Sequence, residues 1–229
     1  MVPQFVSSSV YYVLYGCFKW PVWRKLKIRE FGRQNIPKRG AVIFAANHVK
    51  DVDSVILLGA ARRLVHFMAK KTLFDGGKKL SLKFIKILVK LTGQIPVKAG
   101  DKLVVKAAFE MAIAYLKRGG AVGMHVEGTR TLDGKLHAPK LGFTKLAYET
   151  RVPVVPVALR YDGDPEIHFG KPIPYSTYQK WSAEQFGYEL QKRLAKLSGQ
   201  EMSGEVSPIV KKGDTTVVQA IFTNKVKPS

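Results

Sequence analysis

Ala41-Val42-Ile43-Phe44-Ala45-Ala46-Asn47-His48-Val49-Lys50-Asp51-Val52-Asp53 is the stretch whose reading decides the fold. Its apolar half reads as a buried strand, and a helical pattern runs on from about Val52 to Ala61. The join carries His48 and, five positions later, Asp53. An imidazole takes a proton near neutral pH, and a carboxylate on its second nitrogen fixes the tautomer and steadies the imidazolium. Residues five apart on a continuous helix point roughly 140° away from each other. The pair therefore meets only if His48 lies on the turn before the helix and Asp53 in its first turns. A plainer reading makes Asn47 an N-cap, Asp51 a first-turn charge favoured by the helix dipole, and His48 a surface loop residue.

Outward from this join the alternation continues. His66–Lys70, Gln94–Val97, Ala121–Val126, Val152–Tyr161 and Glu166–Phe169 read as strands. Lys78–Leu91, Lys102–Lys117, Lys140–Glu149 and a segment from Ser182 to about Leu197 read as helices. Ser182-Ala183-Glu184-Gln185 has the form of a capping box. Strands alternating with helices predict an α/β fold: a mixed, mostly parallel sheet covered by helices on both faces. Pro153 and Pro156 in an apolar, central-looking strand call for an edge or an irregular ladder. Residues 4–30 read as one or two helices interrupted near Pro21, and the polar tail contains one strand-like run, Thr215–Phe222. The expected organisation is an N-terminal helical membrane-binding segment (1–34), an α/β domain (35–198) and an unassigned tail (199–229).

The chain has 229 residues, enough for one large domain with a sizeable core. Lys and Arg number 38 against 17 Asp and Glu, a net charge of +21 that points to a polyanionic partner. Cys17 is the single cysteine, which excludes an internal disulfide framework and a thiolate metal cluster. His66, His137 and His168 are scattered without metal-ligand spacing. No stretch reaches the roughly 18 consecutive apolar residues that span a bilayer. The N-terminal segment instead holds Phe5, Tyr11, Tyr12, Tyr15, Phe18, Trp20 and Trp23, followed by Arg24, Lys25, Lys27 and Arg29. Aromatic rings ahead of a basic cluster suit a helix lying in a membrane interface and held by anionic lipid; a core helix of a soluble domain is the alternative. In Lys78–Leu91 a lysine stripe (79, 83, 86, 90) and an apolar stripe (80, 84, 87, 88, 91) form a basic amphipathic helix. It reads equally as a solvated face over the core or as a membrane-facing ridge. No recognised nucleic-acid-reading motif is present, and the aromatics do not interleave with the basic residues across a platform, so a nucleic-acid partner is not expected.

Four segments carry the chemistry in order: Asn47-His48 to Asp53, Gly93–Gly100, Glu127-Gly128-Thr129-Arg130, and Val152–Ala158. Together they resemble the glycerolipid acyltransferase family, and within it the 1-acylglycerol-3-phosphate O-acyltransferase branch. The resemblance covers roughly residues 35–175; Lys70–Phe74 and Gly170–Ile173 look like minor blocks of the same family. It implies acyl transfer from acyl-CoA or acyl carrier protein to a lysophospholipid hydroxyl, giving phosphatidic acid, or the same transfer to glycerol-3-phosphate, another lysophospholipid or a glycolipid. No metal and no cofactor beyond the thioester co-substrate is expected. His48 would be the base and Asp53 its orienting acid, the nucleophile being the substrate's own hydroxyl. Arg130 offers a planar fork for phosphate, Gly128 a close backbone approach and Thr129 a hydroxyl. Glu127 is expected on a substrate hydroxyl, on Arg130 or on a backbone amide. Lys98 is a further cation, and Lys71, Lys140 and Gly142 are possible donor or phosphate contacts. The chain departs from the family where Ala99 replaces a common arginine and where His125-Val126 replaces a common Phe-Pro. His125 is expected to be a strand histidine bonded to backbone rather than a second polar contact. The expected location is the cytoplasmic face of an anionic membrane, peripheral or monotopic.

Overall fold

The computed structural model describes residues 4–75, 80–130 and 133–203. Helix α1 (Gln4–Leu26) leads into strand β1 (Arg29–Phe31). Next come β2 (Val42–Ala46), α2 (Asp53–Ala61), β3 (Val65–Lys70), the short α3 (Thr72–Asp75), α4 (Leu80–Leu91), β4 (Ile95–Val97) and α5 (Lys102–Lys117). The chain continues through β5 (Ala121–His125), α6 (Gly142–Thr150), β6 (Val154–Arg160), β7 (Glu166–Phe169), the short α7 (Tyr175–Tyr178) and α8 (Ala183–Ser198). The expected run Thr215–Phe222, and Lys78 and Lys79 of the basic helix, lie outside the described residues.

The strands form one seven-stranded sheet in the order β1-β7-β6-β2-β5-β3-β4. Every pairing is parallel except β6 with β7, so the sheet is the mixed, mostly parallel one that the alternation predicts. Side chains alternate across a strand, and here both faces are buried. Ile43 and Ala45 of β2 join a core with Phe109 of α5, Phe143 of α6 and Leu190 of α8. Val42, Phe44 and Ala46 join a second core on the other face with Ile56, Leu57 and Ala60 of α2. A strand apolar at every position is what such double coverage requires. The helix starts follow their caps: Asp101 accepts from the Val104 N–H at 3.2 Å, and Ser182 from the Gln185 N–H at 3.1 Å.

One local expectation is corrected and two are resolved. First, Pro21 sits inside α1 without ending it, and the segment does not stay helical to residue 30. Arg29–Phe31 instead pairs with β7 at the sheet edge. Second, β6 is interior, and at Pro156 it takes the irregular ladder of the two options. Its ladder to β7 spans Val157–Arg160 and lapses at Pro156, whose carbonyl accepts from the Gly170 N–H at 2.8 Å. A residue's N and O point to the same side of a strand, so the missing N–H falls on that lapsed side and the ladder to β2 is untouched. Third, the aromatics of α1 do not act as one group. The Tyr11 hydroxyl donates to the Leu58 carbonyl of α2 at 2.9 Å, and Trp23 packs on Gly59, where a Cβ would overlap its ring. Tyr12, Val13 and Trp20 stay exposed at 55%, 65% and 68%.

Candidate active site

Parallel pairing makes β6, β2 and β5 end together, and the loops leaving these strands meet at their carboxyl ends, the usual ligand edge of an open α/β sheet. The end of β2 supplies Asn47 and His48, the end of β5 supplies His125 and Glu127, and the end of β6 supplies Tyr161. Asn47 is not an N-cap: its side chain accepts from the Leu159 N–H at 2.8 Å and donates to the Leu159 carbonyl at 3.1 Å, extending the β2–β6 pairing by one residue. The polypeptide then turns, and α2 begins at Asp53.

His48 and Asp53 meet as the spacing requires, with Nδ1 to Oδ2 at 3.0 Å. Asp53 is fully buried, and the His48 side chain is 18% exposed. Oδ2 also accepts the N–H groups of Val49 at 2.6 Å and Lys50 at 2.9 Å, while the Tyr161 hydroxyl donates to Oδ1. Burial works to raise the Asp53 pKa, but the bonds from His48, Tyr161 and the two amides outweigh it and hold the group below the ordinary carboxylate value. Tyr161 is driven the other way, by burial first and then by the carboxylate it bonds, so it remains a donor. An ionised Asp53 accepts only, which puts the His48 proton on Nδ1 and leaves Nε2 as the basic nitrogen.

His125 lies flat on His48, with ring centroids 3.9 Å apart and planes within 11°. Its Nδ1 donates to the Asn47 carbonyl at 2.7 Å, as a strand histidine bonded to backbone should. Its Nε2 then accepts from the Ser54 hydroxyl at 2.9 Å. Burial, and then the neighbouring His48, lower its pKa to about 4, so it stays neutral beside His48. His48, Asp53 and His125 also bring possible metal-ligand atoms within 4.8 Å of one another. His48 Nδ1, Asp53 and both nitrogens of His125 are engaged in the bonds just described, which leaves His48 Nε2 as the ring nitrogen without a bond there.

Glu127 takes the backbone-amide option. One oxygen accepts from the His48 N–H at 3.3 Å and the other from the His137 N–H at 3.4 Å, tying the loop after β5 to the start of the His48 turn. Gly128 has φ +71 and is crossed by the Lys140 side chain, so a side chain there would be both strained and obstructed. Arg130, 42% exposed in its side chain, pairs with the exposed Asp51 at 2.9 Å. Thr129 is partly exposed beside it.

Other expected contacts separate. Lys98 follows edge strand β4 and pairs only with Asp101, at 3.8 Å, among the described residues. Three strand spacings of about 4.8 Å lie between β4 and β2, so Lys98 stands at the margin of the site. Lys71 is exposed after β3. Gly142 is corrected to a packing residue: it is buried, and a Cβ there would come within 2.8 Å of Phe109. Sequence reasoning missed Tyr161, the His125 stack and the Asp51–Arg130 pair. A tyrosine closing the Val-rich strand was visible, but only the strand order brings it to Asp53.

A family model described as Acyltransferase matches residues 27–160, over half of the chain. The 1-acyl-sn-glycerol-3-phosphate acyltransferase of Borreliella burgdorferi is 30% identical over 145 residues, 63% of this chain and 56% of that protein. A probable 1-acyl-sn-glycerol-3-phosphate acyltransferase of Mycoplasma genitalium is 28% identical over 145 residues, 61% of this chain and 51% of that one. The chain thus spans about half the length of these curated relatives. The crystal structure of the 1-acyl-sn-glycerophosphate (LPA) acyltransferase from Thermotoga maritima superposes with a TM-score of 0.61 at 22% identity, covering 81% of this chain and 77% of that one, a likeness of fold.

Proposed function

Because the chain belongs to the acyltransferase family, we propose that it moves a fatty acyl group from acyl-CoA or acyl carrier protein to the free hydroxyl of 1-acylglycerol-3-phosphate, giving phosphatidic acid. The observation that carries this reading is His48 held through Nδ1 by a buried, ionised Asp53, with Nε2 left basic beside the Arg130 loop. In the reaction Nε2 takes the hydroxyl proton as the acceptor oxygen attacks the thioester carbonyl carbon. The tetrahedral intermediate collapses with cleavage of the C–S bond, and the imidazolium returns the proton to the thiolate. Asp53 steadies the imidazolium, and its own three further donors hold it in place. His125 keeps the His48 ring plane fixed without competing for the proton. Arg130 and the Gly128–Thr129 backbone receive the acceptor phosphate, with Asp51 holding the guanidinium until it arrives. Lys98, Lys71 and Lys140 supply the outer positive field.

The acceptor is a lipid, and α1 suits delivery at a surface. Tyr12, Val13 and Trp20 are exposed on it, while Ile87 and Leu91 are exposed on the neighbouring α4 at 53% and 38%. No helix among the described residues is long and apolar enough to cross a membrane. Peripheral association at the cytoplasmic face, with residues 1–34 as the membrane-binding part and 35–198 as the catalytic part, follows from this reading.

The test is acyl transfer by the purified chain to a panel of acceptors with mixed acyl donors, read by mass spectrometry. Phosphatidic acid formed from 1-acylglycerol-3-phosphate, and lost in His48→Ala while vesicle binding persists, is the expected result. Activity confined to glycerol-3-phosphate, another lysophospholipid or a glycolipid would move the acceptor assignment. Normal turnover in His48→Ala would remove the base.

A further inference from the structure

At the opposite end of the sheet, the segments leading into β2, β3 and β5 border an open pocket of about 250 Å³ together with α1. Five residues of β2, at about 3.3 Å each, put at least roughly 17 Å of strand between it and His48. Lys38, Arg39 and Arg63 line it, and among the described residues no carboxylate does. Among the described residues none of the three forms an ion pair. The Arg63 guanidinium is fixed by carbonyls: Nη1 donates to Pro37 at 2.6 Å, and Nη2 to Gly40 at 2.7 Å and to Gly119 at 3.5 Å. These dipoles aim the cation but do not cancel its charge, and two of its five N–H donors remain. Burial depresses the Arg63 pKa, as it does for a cation without a counter-charge.

The remaining wall matches. Ser8 and Tyr12 of α1 add two hydroxyls. Gly40 and Gly119, both at positive φ, leave open space where side chains would stand. His66, its Nδ1 bonded to the Gly93 carbonyl at 2.9 Å, closes the floor as a neutral ring. Three cations, one preset by carbonyls and two, Lys38 and Arg39, on the exposed rim, around a mostly polar space suit a tetrahedral oxyanion.

We propose that this pocket is a phosphate-binding site, separate from the His48 site, which takes the phosphate of an anionic phospholipid or of a soluble phosphorylated compound. The pocket stands independently of the acyl-transfer reading, since none of its residues belongs to the relay or to the Arg130 loop.

The test is site-resolved. The full chain, labelled with ¹⁵N, is titrated with inorganic phosphate at constant ionic strength held by chloride. Saturable amide shifts at Gly40, Gly119 and Gly120 are expected, and Lys38→Ala with Arg39→Ala should weaken them about tenfold or more while the remaining spectrum shows the fold intact. Arg63 stays unchanged because its loop bonds support the structure. Shifts confined to Gly128–Arg130, or equal affinity in the double variant, would overturn the site. A second arm distinguishes the sources by sedimentation with phosphatidylcholine vesicles containing phosphatidylglycerol. Lys192→Ala with Lys196→Ala on α8 serves as the charge-matched control. A larger loss of vesicle binding in the Lys38/Arg39 variant than in this control assigns the phosphate to lipid. Equal losses, with the phosphate shifts present, assign it to a soluble compound.

Discussion

At the carboxyl ends of β6, β2 and β5 the charges of Asp53, Glu127 and Arg130 each have a partner. Asp53 is met by four donors, Glu127 by two backbone amides and Arg130 by Asp51. At the amino ends of β2, β3 and β5, Arg63 meets only carbonyls, and Lys38 and Arg39 stand exposed beside it with no ion pair among the described residues. The first end stores its charges in mutual bonds, which fixes geometry before any substrate arrives. The second leaves positive charge without a carboxylate among the described residues. A site for moving a proton gains from fixed geometry, because a misplaced base loses most of its effect. A site for holding an anion gains from charge kept without a counter-ion. With a net charge of +21, the location of each neutralising carboxylate says more than the total.

The sharpest way to break this contrast is Asp53→Asn. It should lower kcat by about 10²- to 10⁴-fold by removing the acceptor that sets the His48 tautomer. Steady-state kinetics beside a circular-dichroism check of the fold would measure it, and a loss under tenfold would mean the relay is not the chemical centre.

The next effect is on stability. His66 at the pocket end and His125 at the relay end both have pKa values lowered by burial to about 4. Each is neutral when folded and takes a proton more readily when unfolded. Their contribution is therefore present above pH about 6.5 and is lost as pH falls toward 4, by roughly 3 kcal/mol per histidine. Urea unfolding at pH 7, 5.5 and 4 should show this slope, and His66→Gln should flatten it. An unchanged slope would mean the ring is already protonated in the native protein.

Arg130→Lys should raise the acceptor KM roughly tenfold with less change in kcat, because a point charge does not reproduce the fork. A fall in kcat alone would place Arg130 nearer the reacting atoms. Smallest of all, Asp51→Asn removes an exposed pair and should shift stability by under about 1 kcal/mol. Its acceptor KM should move only a few-fold, which separates it plainly from Asp53→Asn.

Much of this was legible along the chain. The α/β alternation, the span Lys102–Lys117, the Ser182 cap and the His48–Asp53 meeting all follow from local pattern. The shape of a strand-to-helix join decides whether residues five apart can touch, and that join is written in consecutive residues. The parts that were not legible depend on strand order. Tyr161 reaches Asp53 only because β6 lies beside β2, and His125 stacks on His48 only because β5 lies on its other side. Gly142 looked like a site residue by its position after the Glu127–Arg130 loop, and the packing of α5 on α6 makes it a spacer. The tolerance of Pro156 inside an interior strand rests on where β7 stops, which no window of sequence around the proline contains.

By itself, then, the sequence determined which elements form and that an imidazole and a carboxylate meet at one join, because short-range sterics and side-chain period act within a few residues. The tertiary structure alone decided which distant groups brace that pair, which cations are neutralised and which are left over, because those depend on which strands become neighbours and on how deeply each charge is withdrawn from water.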